Sequence, residues 1–229
     1  MLIKPDANAL HTQFNEIIEA GIFHLVRIRS HSSMREKTMT LTTSTMLPLG
    51  TKLPAFKLPD PSGNIFDTSG VDEGTALLVA IWCNHCPYVK QLKTAFADFV
   101  GEYDRQYLVT VAINSNDIND YPADSPAEML KDIGHFGYDF PYLLDEGQKV
   151  AKMLKAVCTP EFFLFDTEHR LAYRGRFDAA TPGNSEPVTG DDLRDAVTAV
   201  LLDDDVNGTQ HASMGCSIKW TRGNEPAYL

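Results

Sequence analysis

An unbroken apolar run, Ala76 to Trp82, leads directly into Cys83-Asn84-His85-Cys86-Pro87 and then into a stretch with a different apolar period. The run has the character of a strand covered on both faces. After it, Tyr88, Leu92, Ala95, Phe96, Phe99 and Tyr103 recur at three and four, one buried face of a helix. Tyr107 to Ile113 is a second apolar strand. Strand, helix, strand in that order predicts a right-handed parallel crossover. The two cysteines then fall at the carboxyl edge of a sheet and at a helix N-terminus. Unpaired amides and the helix dipole favour an anion there.

The remaining chain predicts one α/β domain built around this unit. Ala55–Leu58 and Ile65–Phe66 flank Pro-Ser-Gly-Asn, which predicts a short N-terminal β-hairpin. Ser125-Pro126 opens a helix reaching about Phe136, with Pro in the first helical position. Tyr142–Leu144 is a short strand, and a helix covers Gln148 to Leu154. Phe162–Phe165 and Leu171–Tyr173 read as a hairpin, and a last helix runs from Thr189-Gly190-Asp191-Asp192 to about Leu202.

Residues 1–50 read as a separate extension, residues 51–204 as the domain and residues 205–229 as an irregular tail. In the extension, Leu10, Phe14, Ile17, Ile18 and Leu25 have rough helical spacing, and Ser30 to Met46 is poor in anything to bury. Either a helix and linker precede the domain, or translation starts at Met34, Met39 or Met46. The second reading is preferred, because the compact pattern begins only at Leu53.

A net charge of -11 over 229 residues gives no general attraction to nucleic acid or anionic lipid. No apolar stretch is long enough to span a membrane, and Asp6, Glu16 and Glu19 break any signal-like N-terminus. The expected location is cytoplasmic. In that setting the four cysteines, at 83, 86, 158 and 216, are more often catalytic or metal-binding than structural.

Cys-x-x-Cys alone also suits zinc, but its place at a strand-to-helix junction favours redox chemistry. A thiolate at Cys83 is stabilised by the helix field, and the thiolate is the nucleophile. Cys86, one turn along, is placed to attack a mixed disulfide on Cys83. His85 between them is expected to favour the Cys83 thiolate. That would make the couple more oxidising than thioredoxin's, at about -270 mV.

Leu53-Pro54-Ala55-Phe56-Lys57-Leu58, Gly63, Trp82-Cys83-Asn84-His85-Cys86 and Thr159-Pro160 together resemble the redoxin (AhpC/TSA-type) branch of the thioredoxin superfamily. Cys158-Thr159-Pro160, Arg174-Gly175-Arg176-Phe177-Asp178 and Gly215-Cys216-Ser217-Ile218-Lys219-Trp220 extend the resemblance to bacterial peroxiredoxin-like proteins bearing a CxxC. It covers about Leu53 to Trp220. It implies a thioredoxin-like fold, a central mixed sheet flanked by helices, with Cys83 and Cys86 catalytic and Trp82, His85, Thr159 and Pro160 in support. It also implies that Pro160 is cis and packs against the CxxC. Peroxiredoxins carry Thr or Ser three residues before the peroxidatic cysteine and Pro seven before it; Ala80 and Ala76 stand there. The hydroxyl that orients a peroxide is absent from its usual place. Leu77 replaces thioredoxin's buried Asp, which leaves Glu161 as a weak candidate proton acceptor for Cys86.

Among accessory residues, Cys158 is expected near Cys83, either as a third thiol or ligand or as a small buried side chain. Cys216 reads as a resolving thiol or as an anchor for the tail. Arg174 and Arg176 read as partners of a thiolate or an acidic substrate, or as solvated charges.

The leading expectation is thiol-disulfide exchange on a protein or small-molecule thiol or disulfide, with no cofactor. A thiol-dependent peroxidase with Cys83 peroxidatic is the nearest alternative. A metal-binding protein using Cys83, Cys86 and Cys158, joined by Cys216 or His85, is the alternative of another class. A redox-inert interaction module is disfavoured by two intact cysteines in frame.

Overall fold

The computed structural model describes residues 40–229. Elements below are numbered within those residues. The central strand is β4, Ala76–Trp82, buried at every position. Its even residues, Ala76, Leu78, Ala80 and Trp82, join one apolar cluster with Phe96, Phe99, Leu193 and Val197. Its odd residues, Leu77, Val79 and Ile81, join another with Val150, Leu154, Phe163 and Phe165. Period-two alternation sends adjacent side chains to opposite faces. A run with no polar position therefore needs a cover on both sides.

That cover is helical. α1 (Pro87–Gly101) and α4 (Asp191–Leu201) bury Phe96, Phe99, Leu193 and Val197 on the first face. α2 (Pro126–Phe136) adds Met129 to the same cluster. On the opposite face lies α3 (Lys149–Met153), with Leu47, Phe56 and Ile218. Gly137, at φ 65°, ends α2 in the left-handed region that suits glycine.

β4 pairs in parallel with β5 (Leu108–Asn114), and β5 with β6 (Tyr142–Leu144). On its other edge β4 pairs antiparallel with β8 (Glu161–Phe165), and β8 with β9 (Leu171–Gly175). The order β6-β5-β4-β8-β9 makes a mixed five-stranded sheet flanked by helices, a thioredoxin-like fold. The expected hairpin is present as β2 (Lys57–Pro59) and β3 (Ile65–Asp67).

Two elements fall where the sequence reads as extension and tail. β1 (Leu41–Thr43) pairs with β10 (Met214–Ser217), which pairs with the two-residue β7 (Cys158–Thr159). Residues 41–50 are therefore packed into the fold, and the tail is not irregular throughout. Neither strand shows a usable period, because a three- or four-residue strand is held by its neighbours rather than by its own pattern. The helical spacing over Leu10–Leu25 and the candidate starts at Met34 and Met39 lie outside the described residues. Beyond β10, the Asn116 side chain accepts from the Lys219 amide at 2.8 Å, and Gln148 donates to the Lys219 carbonyl at 2.9 Å. Among the described residues, no helix is long and apolar enough to cross a membrane.

Candidate active site

Cys83 follows the last residue of β4, and Cys86 is the N-cap of α1 with Pro87 at its first helical position. Pro is tolerated there because the first-turn amides lack an intrahelical acceptor. Both cysteines are fully buried, and none of the four cysteines is in a disulfide. Facing them is the loop between β7 and β8, where the Thr159–Pro160 peptide bond is cis. Thr159 touches both sulfurs: its Oγ1 lies 3.4 Å from Cys83 Sγ, and its carbonyl accepts from the Cys86 thiol at 3.2 Å. A hydroxyl beside Cys83 is thus present in space, although the upstream position holds Ala80.

Cys86 is also in hydrogen-bond contact with the thiols of Cys216 and Cys83. Those donors, Cys216 foremost and then Cys83, hold Cys86 well below the ordinary thiol value against the pull of burial. Burial, the contact with Cys86 and the charge of Asp124 push Cys83 up. The sequence places the thiolate on Cys83. The shifts of the two thiols run opposite to that expectation, Cys83 upward and Cys86, at the helix N-terminus, downward.

His85 does not bond to either sulfur. Its Nδ1 lies 2.6 Å from Asp124 Oδ2, and its ring stacks on Tyr121 with centroids 5.4 Å apart. Asp124 ends a 3-10 turn (Pro122–Asp124), is fully buried, and is the candidate site residue that sequence reasoning missed. Its Oδ1 accepts the backbone N–H of Asn84 at 2.8 Å and of His85 at 3.2 Å. Its Oδ2 also accepts from Asn116 at 2.8 Å. Burial opposes the Asp124 carboxylate, yet His85, Asn116 and the Asn84 amide keep its pKa below the usual carboxylate value. Tyr142 donates to Asn84 Oδ1 at 2.8 Å, and Lys93 donates to the Asn84 carbonyl at 3.1 Å. The residues between the two cysteines are therefore fixed from every side.

The other expected residues make their contacts elsewhere. Trp82 packs on Phe96, with ring centroids 5.1 Å apart. Strand alternation turns Cys158 away from Thr159, and its thiol meets Glu161 Oε2 at 3.9 Å and the Ser213 carbonyl at 3.9 Å. Glu161 accepts from Ser44 and from the Val157 amide at 3.2 Å, so its hydrogen bonds do not run to Cys86. Burial raises its pKa to about 7, against the bonds from Ser44 and the Val157 amide. Arg174 bonds to Gln210, whereas Arg176 pairs with Asp192 at 2.5 Å and lines a cavity. That cavity, of about 230 Å³, lies beside Pro160 and the first turns of α1, bounded by Tyr88, Leu92, Asp178 and Met214.

The metal set Cys83, Cys86 and Cys158 is not assembled by this geometry. A different triad, Cys83 Sγ, His85 and Asp124, has ligand atoms within 4.8 Å of one another. Two of its members already satisfy each other through the Nδ1–Oδ2 bond.

The sequence matches the AhpC/TSA family over residues 49–174. A hypothetical protein from Sinorhizobium meliloti 1021 is 49% identical, with a TM-score of 0.78 over 80% of this chain and 100% of its own. An uncharacterized conserved protein from Geobacillus kaustophilus is 41% identical, with a TM-score of 0.79 over 81% of this chain and 99% of its own. A peroxidoxin from Mycobacterium tuberculosis shares the fold at 17% identity, with a TM-score of 0.51 over 69% of this chain and 97% of its own. No curated protein matches. From the family match and the shared architecture, the chain belongs to the AhpC/TSA family of thioredoxin-like redoxins.

Proposed function

We propose that the chain is a thiol-disulfide oxidoreductase working through a Cys83–Cys86 dithiol-disulfide couple. The supporting observation is the contact of Cys83 and Cys86 at the strand-to-helix junction, bridged by Thr159 through its hydroxyl and its carbonyl. In this reading the reduced pair works from the state with one proton and one negative charge between the two sulfurs. Passing that proton from Cys83 to Cys86 makes Cys83 the nucleophile without bringing charge in from solvent. Cys83 attacks the substrate disulfide and expels one thiol. Cys86, deprotonated again beneath the helix N-terminus, attacks Cys83 and expels the other. The cavity lined by Pro160, Tyr88 and Leu92 gives a substrate thiol or disulfide, protein or small molecule, a place beside the cis-proline loop.

A redox titration in glutathione or dithiothreitol buffers, with alkylation and mass spectrometry, tests this. Cys83 and Cys86 are expected to titrate as one two-electron couple that Cys83→Ser abolishes. If no Cys83–Cys86 disulfide forms, or a metal present in freshly purified protein blocks alkylation, the reading fails. A peroxidase is the second reading, favoured by the Thr159 hydroxyl beside Cys83. It requires that peroxide convert Cys83 of a Cys86→Ser variant to a sulfenic acid trapped by dimedone. An inert Cys83 in that assay removes it.

A further inference from the structure

The tail strand β10 brings a third sulfur into the site. Its register sets Cys216 opposite Thr159, the residue that already touches Cys83 and Cys86. The strand lies close enough that a Cβ on Gly215 would stand 2.0 Å from the Thr159 carbonyl oxygen. Only glycine permits that approach. Cys216 is 3% exposed and shares one buried cluster with Cys83 and Cys86. Cys86 is the middle sulfur of the three, in hydrogen-bond contact with Cys83 on one hand and Cys216 on the other.

We propose that Cys216 is a third redox-active cysteine, and that the Cys83–Cys86 disulfide rearranges internally to a Cys86–Cys216 disulfide. The inference rests on the oxidoreductase reading above. Thiol-disulfide exchange requires a thiolate beside the sulfur it attacks, and Cys216 is beside Cys86. Its sulfur bonds to Cys86 Sγ as the Cys83–Cys86 bond breaks, and the electron pair leaves on Cys83. The proton lost by Cys216 ends on Cys83, so no electrons or protons are exchanged with solution and no outside oxidant is needed.

The trigger is built into the contacts. In the reduced site the hydrogen bond to Cys86, then burial and the charge of a Cys86 thiolate, push the Cys216 thiol up. Once Cys86 is in a disulfide both contributions of Cys86 are gone, and the nearby Lys219 cation favours the Cys216 thiolate. The consequence is a separation of roles: Cys83 is released as a free thiol while the oxidising equivalents stay beneath the tail strand.

The full-length protein, oxidised with glutathione disulfide, acid-quenched, alkylated and digested, decides the question. A Cys86–Cys216 linked peptide with alkylated Cys83 is expected alongside the Cys83–Cys86 form, and only the latter in Cys216→Ser. In Cys83→Ser, Cys86 and Cys216 should lose alkylation together as a two-electron couple, tenfold in equilibrium constant for about 30 mV. Cys83→Ala serves the same purpose if the serine variant does not fold. A Cys83–Cys86 disulfide with Cys216 fully alkylated in wild type, together with Cys86 and Cys216 both fully alkylated in the Cys83 variant, overturns the proposal and spares the parent reading. Absence of a Cys83–Cys86 disulfide in wild type sinks the parent reading instead.

Discussion

Thr159 meets the sulfurs of Cys83 and Cys86 through different atoms, and this makes its contributions separable. Its hydroxyl lies by Cys83 and favours the Cys83 thiolate, while its carbonyl serves Cys86. Thr159→Val keeps the shape and the carbonyl and removes only the hydroxyl. A hydrogen bond to a charged group contributes about 1.5–3 kcal/mol. The rate of Cys83 alkylation at neutral pH is therefore expected to fall roughly ten- to a hundredfold. The pH limb of that rate, followed by mass spectrometry, should move upward; an unchanged limb would show that the hydroxyl does not act on Cys83. Glu161 makes a second prediction at this scale. Its carboxyl is raised from an ordinary 4.5 to about 7, so the folded protein holds a proton that the unfolded chain has released. A raised acid is most favourable to the fold below its unfolded pKa, and that advantage is lost as pH rises through the folded value. Stability should decline between pH about 4.5 and 7 by about 3 kcal/mol from this group. Urea unfolding across that window should show the slope in wild type and not in Glu161→Gln.

Elements differ in how openly the sequence declares them. β4, α1, β5 and α2 are legible because each is long enough to show a period or an unbroken apolar run. β10 is Met-Gly-Cys-Ser, too short to alternate, and its place is fixed by the backbone of Thr159. Asp124 is hidden for a related reason. It reaches Asn84 and His85 from some forty residues along the chain, out of a polar loop that offers no pattern. The CxxC is legible in the sequence as a candidate site, but the residues that hold it are not, because their contacts are non-local. Gly215 shows what such a contact demands. Gly215→Ala places a methyl against the Thr159 carbonyl, where neither backbone can yield cheaply. Overpacking of this kind costs about 1–3 kcal/mol. Thermal unfolding should register that loss, and Cys216 should alkylate faster as β10 lifts from the loop. An alanine variant with native stability and a protected Cys216 would show that the strand is not seated against Thr159.

At the scale of the whole molecule, both ends of the described chain converge on the cis-proline loop. β1 pairs with β10, β10 with β7, and Ser44 just after β1 donates to Glu161 directly behind Pro160. Ser44 also donates its amide to the Ser213 carbonyl at 2.9 Å. A chain begun at Met39 keeps all of these contacts, whereas one begun at Met46 loses β1 and Ser44 together. The cost of the shorter start should depend on pH. The Ser44 hydroxyl works against burial to lower the Glu161 pKa. Without it the protonated carboxyl loses a neutral hydrogen bond of about 1 kcal/mol, while the carboxylate loses a charge-assisted one of about 1.5–3 kcal/mol. The stability gap between the two chains should therefore widen as pH rises through about 7. Loss of β1 should also leave β10 with an open edge and make Cys216 more reactive toward alkylation. Urea unfolding of both chains at pH 5 and pH 8 measures the first effect, and timed alkylation measures the second. A gap that is constant with pH would mean that Ser44 does not govern Glu161. A gap near zero at both values would mean that β1 adds nothing to the seating of the tail strand over Thr159.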